Sequence, residues 1–126
     1  NQFMKQAVIY ARSASPNEDS ICAQIVLGKK FAADNGYTVV KVFADTNASG
    51  RSAERPALQK LFEDTGSSWD TVIVLDRSRF FREPYLYIKY MLKLNFAGKR
   101  IISCIERLST ISYDRRKMQR NDPCSN

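Results

Sequence analysis

Arginine and serine recur together at three places in this chain. Arg12 is followed by Ser13 and Ser15. Asp45 is followed by Ser49, Gly50, Arg51 and Arg55, and Asp76 by Arg77, Ser78, Arg79 and Arg82. A guanidinium is a planar fork that grips two phosphate oxygens at once, which the single ammonium of lysine cannot copy. A hydroxyl beside such forks can attack phosphorus while the forks stabilise the charge on the pentacoordinate centre. The chemistry indicated is phosphoryl transfer by a serine. A single arginine is more often a surface residue than a catalytic one, so the weight lies on the convergence of three groups. The chain has no histidine. That removes the His-based triads, most zinc sites and the commonest general base. Cys22, Cys104 and Cys124 have no metal-type spacing and read as reduced, unpaired thiols of a cytoplasmic protein. No metal site is expected.

The elements that must position these groups follow from the apolar pattern. Gln6–Arg12, with its run Val8-Ile9-Tyr10, reads as a first strand. A helix follows, capped by Asp19 or Ser20, with Ile21, Ile25, Gly28, Phe31 and Ala32 at helical spacing. Asn35-Gly36 ends it. Tyr37–Ala44 is rich in β-branched and aromatic residues and reads as a second strand. A second helix is expected to start near Pro56, with a stripe of Ala57, Leu58, Leu61 and Phe62. Thr71–Leu75 is a buried strand, because nothing in it alternates. A third helix covers Pro84–Phe96 with Leu86, Tyr90, Met91 and Leu94 inward, and Arg100–Ile105 is a further strand. Strands and helices alternate throughout, so the fold class expected is α/β. It would have a mostly parallel central sheet of four or five strands and helices on both faces. In such a sheet the ligand site lies beyond the carboxyl ends of the strands, which is where all three arginine groups fall.

Net charge is +7 and unevenly placed. Residues 1–76 carry 8 Lys/Arg against 9 Asp/Glu, and residues 77–126 carry 12 against 4. A basic field of this kind favours a polyanion. No apolar run reaches membrane-spanning length, and no membrane partner is expected. Tyr85, Tyr87 and Tyr90 follow the last arginine group. They can be read as a stacking platform for bases. At helical spacing in an amphipathic segment, core and subunit contact is the better reading. Trp69 and Met91 read as packing.

At this point the sequence resembles the serine site-specific recombinases, the family of resolvases and DNA invertases. The resemblance runs from Ala7 to about Ile105. It rests on Ile9-Tyr10-Ala11-Arg12, Ser20-Ile21-Cys22-Ala23-Gln24, and Asp45 with Ala48-Ser49-Gly50. It continues through Glu54-Arg55-Pro56-Ala57-Leu58 and Ser78-Arg79-Phe80-Phe81-Arg82. It implies a catalytic domain that cuts double-stranded DNA through a 5′-phosphoserine link and rejoins it without cofactor. It also implies a homodimer in solution and a tetramer on DNA, in the cytoplasm of a bacterium at the nucleoid. Arg12, Arg55, Arg79 and Arg82 match the arginines around the scissile phosphate, with Gln24 and Asp45 as supporting catalytic positions. Tyr10, Ser49, Arg51 and Arg77 are expected on the DNA side.

Two departures from the family pattern matter. The nucleophile usually stands two residues after the first arginine, and that position is Ala14. Either Ser15 or Ser13 substitutes through a shift of the loop, with Ser15 preferred because loops tolerate such shifts, or cleavage has been lost. The lost-cleavage alternative is a silent DNA-binding or oligomerisation module. After the third strand the family reads Asp-Arg-x-x-Arg. Aligning Asp76-Arg77 there would put Phe80 at the second arginine, so the frame that keeps Arg79 and Arg82 is taken, with Arg77 in reserve. A generic phosphate-ligand enzyme is a third reading, and the lack of a Gly-x-x-x-x-Gly-Lys-Ser/Thr loop counts against it. Residues 1–107 are assigned to the resolvase-like catalytic domain. Residues 108–126 read as a basic linker or the truncated start of an inter-domain helix. No DNA-reading domain is visible after Ile105, so target-site choice is not expected to reside in this sequence.

Overall fold

The computed structural model describes residues 5–16, 18–49 and 54–105. In order these form β1 (Lys5–Arg12), α1 (Glu18–Asp34), β2 (Tyr37–Asp45), α2 (Pro56–Glu63), β3 (Thr71–Val74), the short α3 (Arg77–Phe80), α4 (Pro84–Phe96) and β4 (Arg100–Ser103). Among the described residues the strands make one four-stranded sheet in the order β2-β1-β3-β4. All of its pairings are parallel. The expected α/β class is what the chain adopts. Arg51 and the segment 108–126 lie outside the described residues.

The apolar runs of β1 and β3 do not alternate because both faces of the sheet are covered there. Along β1 the side chains divide between two cores. Val8 and Tyr10 join Val72, Val74, Leu58, Leu61 and Leu94 on the face packed by α2 and α4. Ala7 and Ile9 join Ile73, Phe31 and Ala32 on the face covered by α1. Trp69 is fully buried in the first of these cores. α1 lies close against β1: a methyl group on Gly28 would stand 3.1 Å from Ile9 Cδ1. Gly36 and Gly98 both have φ of +79°, the left-handed conformation that ends a helix without steric cost to glycine.

The boundaries shift in instructive ways. α1 starts at Glu18, so Asp19 and Ser20 sit in its first turn rather than capping it. β2 runs on to Asp45, whose register partner is Arg12, which brings those two residues side by side at the sheet's carboxyl edge. β3 stops at Val74 and β4 at Ser103. α3 was not expected. A four-residue helix is too short to show a helical period. α4 has the bounds expected, with Pro84 in its first turn and the Glu83 carboxylate accepting the Tyr85 and Leu86 amides at 3.1 and 3.3 Å.

Candidate active site

Arg12 ends β1 and is only 1% exposed. Its guanidinium donates to three backbone carbonyls: Nη1 to Ala48 at 2.8 Å, Nη2 to Ser78 at 2.6 Å and Nε to Arg79 at 3.2 Å. One side chain thus ties the loop after β2 to the α3 segment. Gln24 from α1 fixes the backbone of the same residue. The Arg12 amide donates to Gln24 Oε1 at 3.0 Å, and Gln24 Nε2 donates back to the Arg12 carbonyl at 2.9 Å. Gln24 therefore serves β1 as a neighbouring strand would, and its polar atoms face the backbone.

Asp45 is buried and supports the second loop. Its Oδ1 accepts the Ala57 amide at 2.9 Å, and its Oδ2 accepts the Leu58 amide at 3.0 Å and the Tyr10 hydroxyl at 2.7 Å. α2 begins after Arg55, which has no capping side chain, and Asp45 supplies the missing acceptor from across the sheet. Arg55 is fully buried: Nη1 donates to the Tyr10 hydroxyl at 3.3 Å, and its guanidinium carbon lies 4.3 Å from the centre of the Phe81 ring. Burial pushes the Tyr10 hydroxyl well above the usual phenol range. Tyr10, placed on the DNA side by sequence, has no exposed surface here.

The exposed part of the cluster is narrower. Arg79 is partly exposed, donates from Nη1 to the Arg12 carbonyl at 3.3 Å, and holds Nε buried without a hydrogen bond, 3.9 Å from Asp76 Oδ2. Arg82 and Arg77 are exposed, as is Ser49. Burial, with repulsion from Arg55, Arg79 and Arg82, pushes the Arg12 guanidinium down to about 10, so it stays charged at neutral pH. Three further positive charges thus act on Arg12, and an anion beside them would relieve that repulsion.

The serines divide. Ser13 is buried; its hydroxyl donates to the Ser15 carbonyl at 2.6 Å and accepts from the Ser15 amide at 3.3 Å. Its backbone joins the neighbouring loop through Ser13 N to Asp45 O at 2.9 Å and Ala48 N to Ser13 O at 3.0 Å. Ala14 and Ser15 are both exposed on that turn. Sequence reasoning grouped Arg12, Arg55, Arg79 and Arg82, which the structure brings near one another, but missed the carbonyl partners of Arg12 and the capping task of Asp45. Residue type carries no sign of either. Phe81 beneath Arg55 had a faint signal in the Phe80-Phe81 pair between the arginines.

A parallel α/β sheet with clustered arginines and a serine-bearing turn at its carboxyl edge defines a resolvase-like catalytic domain. The chain belongs to that family: residues 7–121 match the family described as "Resolvase, N terminal domain". Among solved structures it is similar to the N-terminal catalytic domain of TP901-1 integrase. The identity is 30%, over 81% of this chain and 79% of that one, with a TM-score of 0.77. It is also similar to the C-terminal catalytic domain of ISC1926 TnpA, an IS607-like serine recombinase, at 35% identity over 79% and 67% of the two chains, with a TM-score of 0.69. A resolvase family site-specific recombinase from Streptococcus pneumoniae matches at 26% identity over 81% and 73%, with a TM-score of 0.71. Among curated proteins none matches.

Proposed function

We propose that this domain cleaves and rejoins double-stranded DNA, with Ser15 as nucleophile and Arg79 and Arg82 receiving the scissile phosphate. The observation that carries the reading is the convergence of Arg12, Arg55, Arg79 and Arg82 beside the Ser13–Ser15 turn. Ser15 Oγ would bond to phosphorus as the bond to the 3′ oxygen breaks, with the hydroxyl proton ending on that oxygen. One phosphodiester is exchanged for another, so no cofactor is required. Ser13 suits this step less well, since its hydroxyl already holds the turn. Arg12 and Arg55 act from behind, fixing the loops that carry the exposed arginines.

Assembly belongs to the same proposal: a dimer in solution and a tetramer on DNA. The second half of α4 leaves Leu92 and Phe96 exposed on one face, and Phe96 is 90% exposed. That stripe offers a second copy an apolar surface. Among the described residues no helix is long and apolar enough to cross a membrane, and the cytoplasm at the bacterial nucleoid is the compartment proposed.

Ala14 favours a second reading, a silent module that binds or assembles without cutting. A suicide DNA substrate that traps the covalent adduct separates the two. The nucleophile proposal expects an adduct from the natural chain that Ser15→Ala abolishes and Ser13→Ala only weakens. An adduct that survives both substitutions removes the shifted nucleophile. The silent module expects no adduct from the natural chain, together with retained DNA binding.

A further inference from the structure

Beside the exposed arginines, α3 and the start of α4 enclose a cleft of about 390 Å³ lined by Arg77, Ser78, Phe81, Arg82, Tyr87 and Ile88. Its volume falls at the small end of the range for small-molecule sites, about 300–1,000 Å³. Arg77 and Arg82 line the cleft together with Phe81, Tyr87 and Ile88, and the Arg77 guanidinium carbon lies 5.9 Å from the centre of the Tyr87 ring. Among the described residues no acidic side chain lines it. Cations beside a flat apolar wall suit a planar group that carries a phosphate, and an intact duplex cannot present one, because its bases are stacked inside.

We propose that this cleft receives one unpaired nucleotide of a DNA strand, the base against Tyr87 and Ile88 and its phosphate between Arg77 and Arg82. The inference rests on the DNA-handling reading above and adds to it a subsite for an unstacked base. Arg82 is the boundary between the two: it belongs to the arginine cluster that acts on Arg12 and also lines the cleft. Taking a base out of the stack costs its stacking and pairing free energy. An aromatic wall beside the cluster returns part of that cost, so the cleft would favour strands already opened or mismatched.

The test uses the full chain with two probes, single-stranded pentathymidylate and the same oligomer lacking its central base. Amide chemical-shift mapping should place the complete oligomer at Arg77, Tyr87 and Ile88. The oligomer lacking the base should bind about tenfold more weakly, in keeping with the stacking contribution of a single base. Tyr87→Phe should keep the difference between the probes, and Tyr87→Ala should erase it. Since Tyr87 also packs on the core, the exposed Arg77 provides a second variant. Arg77→Ala should weaken both probes and lower the salt slope by about 0.7, the value for one single-strand phosphate contact. Equal affinity for the two probes, shifts confined to other residues, or an unchanged Arg77→Ala variant would each overturn the proposal. Cleavage is not needed for any of these readouts. A chain that forms no covalent adduct can still satisfy them, and one that forms the adduct can still fail them.

Discussion

Arg12 and Asp45 face each other across β1 and β2, and each satisfies several backbone groups with one side chain. Arg12→Lys keeps the charge but replaces a fixed fork with a single ammonium, which cannot reach three diverging carbonyls. A loss of about 2–3 kcal/mol is expected in urea unfolding, since hydrogen bonds to charged groups contribute roughly 1.5–3 kcal/mol. Asp45→Ala removes a helix cap and the acceptor of the buried Tyr10 hydroxyl proton, and should cost about 2–4 kcal/mol by the same measurement. This is also where the sequence stopped being legible. The arginines could be picked out by type and order, but whether a guanidinium faces a phosphate or a carbonyl depends on backbone brought in from residues 48, 78 and 79. A third residue carries a pH signature. Asp64 accepts from Lys41, Trp69 and Ser67, and the bond from Lys41 leads in lowering it from 3.8 to about 2. Stability from that network is complete above about pH 4 and is lost as pH falls through about 2. Asp64→Asn should flatten the dependence of the urea midpoint on pH in that window.

At the scale of elements, the helices with local punctuation or an apolar stripe were readable and the short α3 was not. α4 has Pro84 in its first turn, Glu83 as cap and Gly98 beyond its end, so its bounds were set by neighbours in sequence. α3 has no periodic stripe; α2 was legible from Pro56 and its stripe, and only its capping acceptor, taken from β2, was not. The contact of α1 with β1 gives a test of packing. Gly28→Ala would bring a methyl group to 3.1 Å from the flexible end of Ile9. Its gain in helix propensity, about 0.5–1 kcal/mol, should offset the small displacement and leave the melting temperature nearly unchanged. Gly28→Leu has no such room and should destabilise by about 1–3 kcal/mol, read as a lower urea midpoint.

For the whole molecule, the positive charge gathered after residue 76 should make DNA binding steeply salt-dependent. Arg82→Ala should reduce the slope of log affinity against log salt by about 0.9 on duplex DNA, measured by fluorescence anisotropy, because one phosphate contact is removed. Leu92→Asp with Phe96→Asp, placed on the exposed stripe of α4, should shift sedimentation toward the monomer and leave the melting temperature almost unchanged. The position of β1 has a different consequence. It precedes the other described strands in sequence yet lies inside the sheet, between β2 and β3, with Ala7 paired to Val39 on one side and Thr71 on the other. On a ribosome adding ~5–20 residues per second, β1 therefore waits about 3 to 13 seconds for its second neighbour to be made. Through that interval Val8 and Tyr10 have no β3 to close over, and the nascent chain offers them to whatever chaperone stands at the exit.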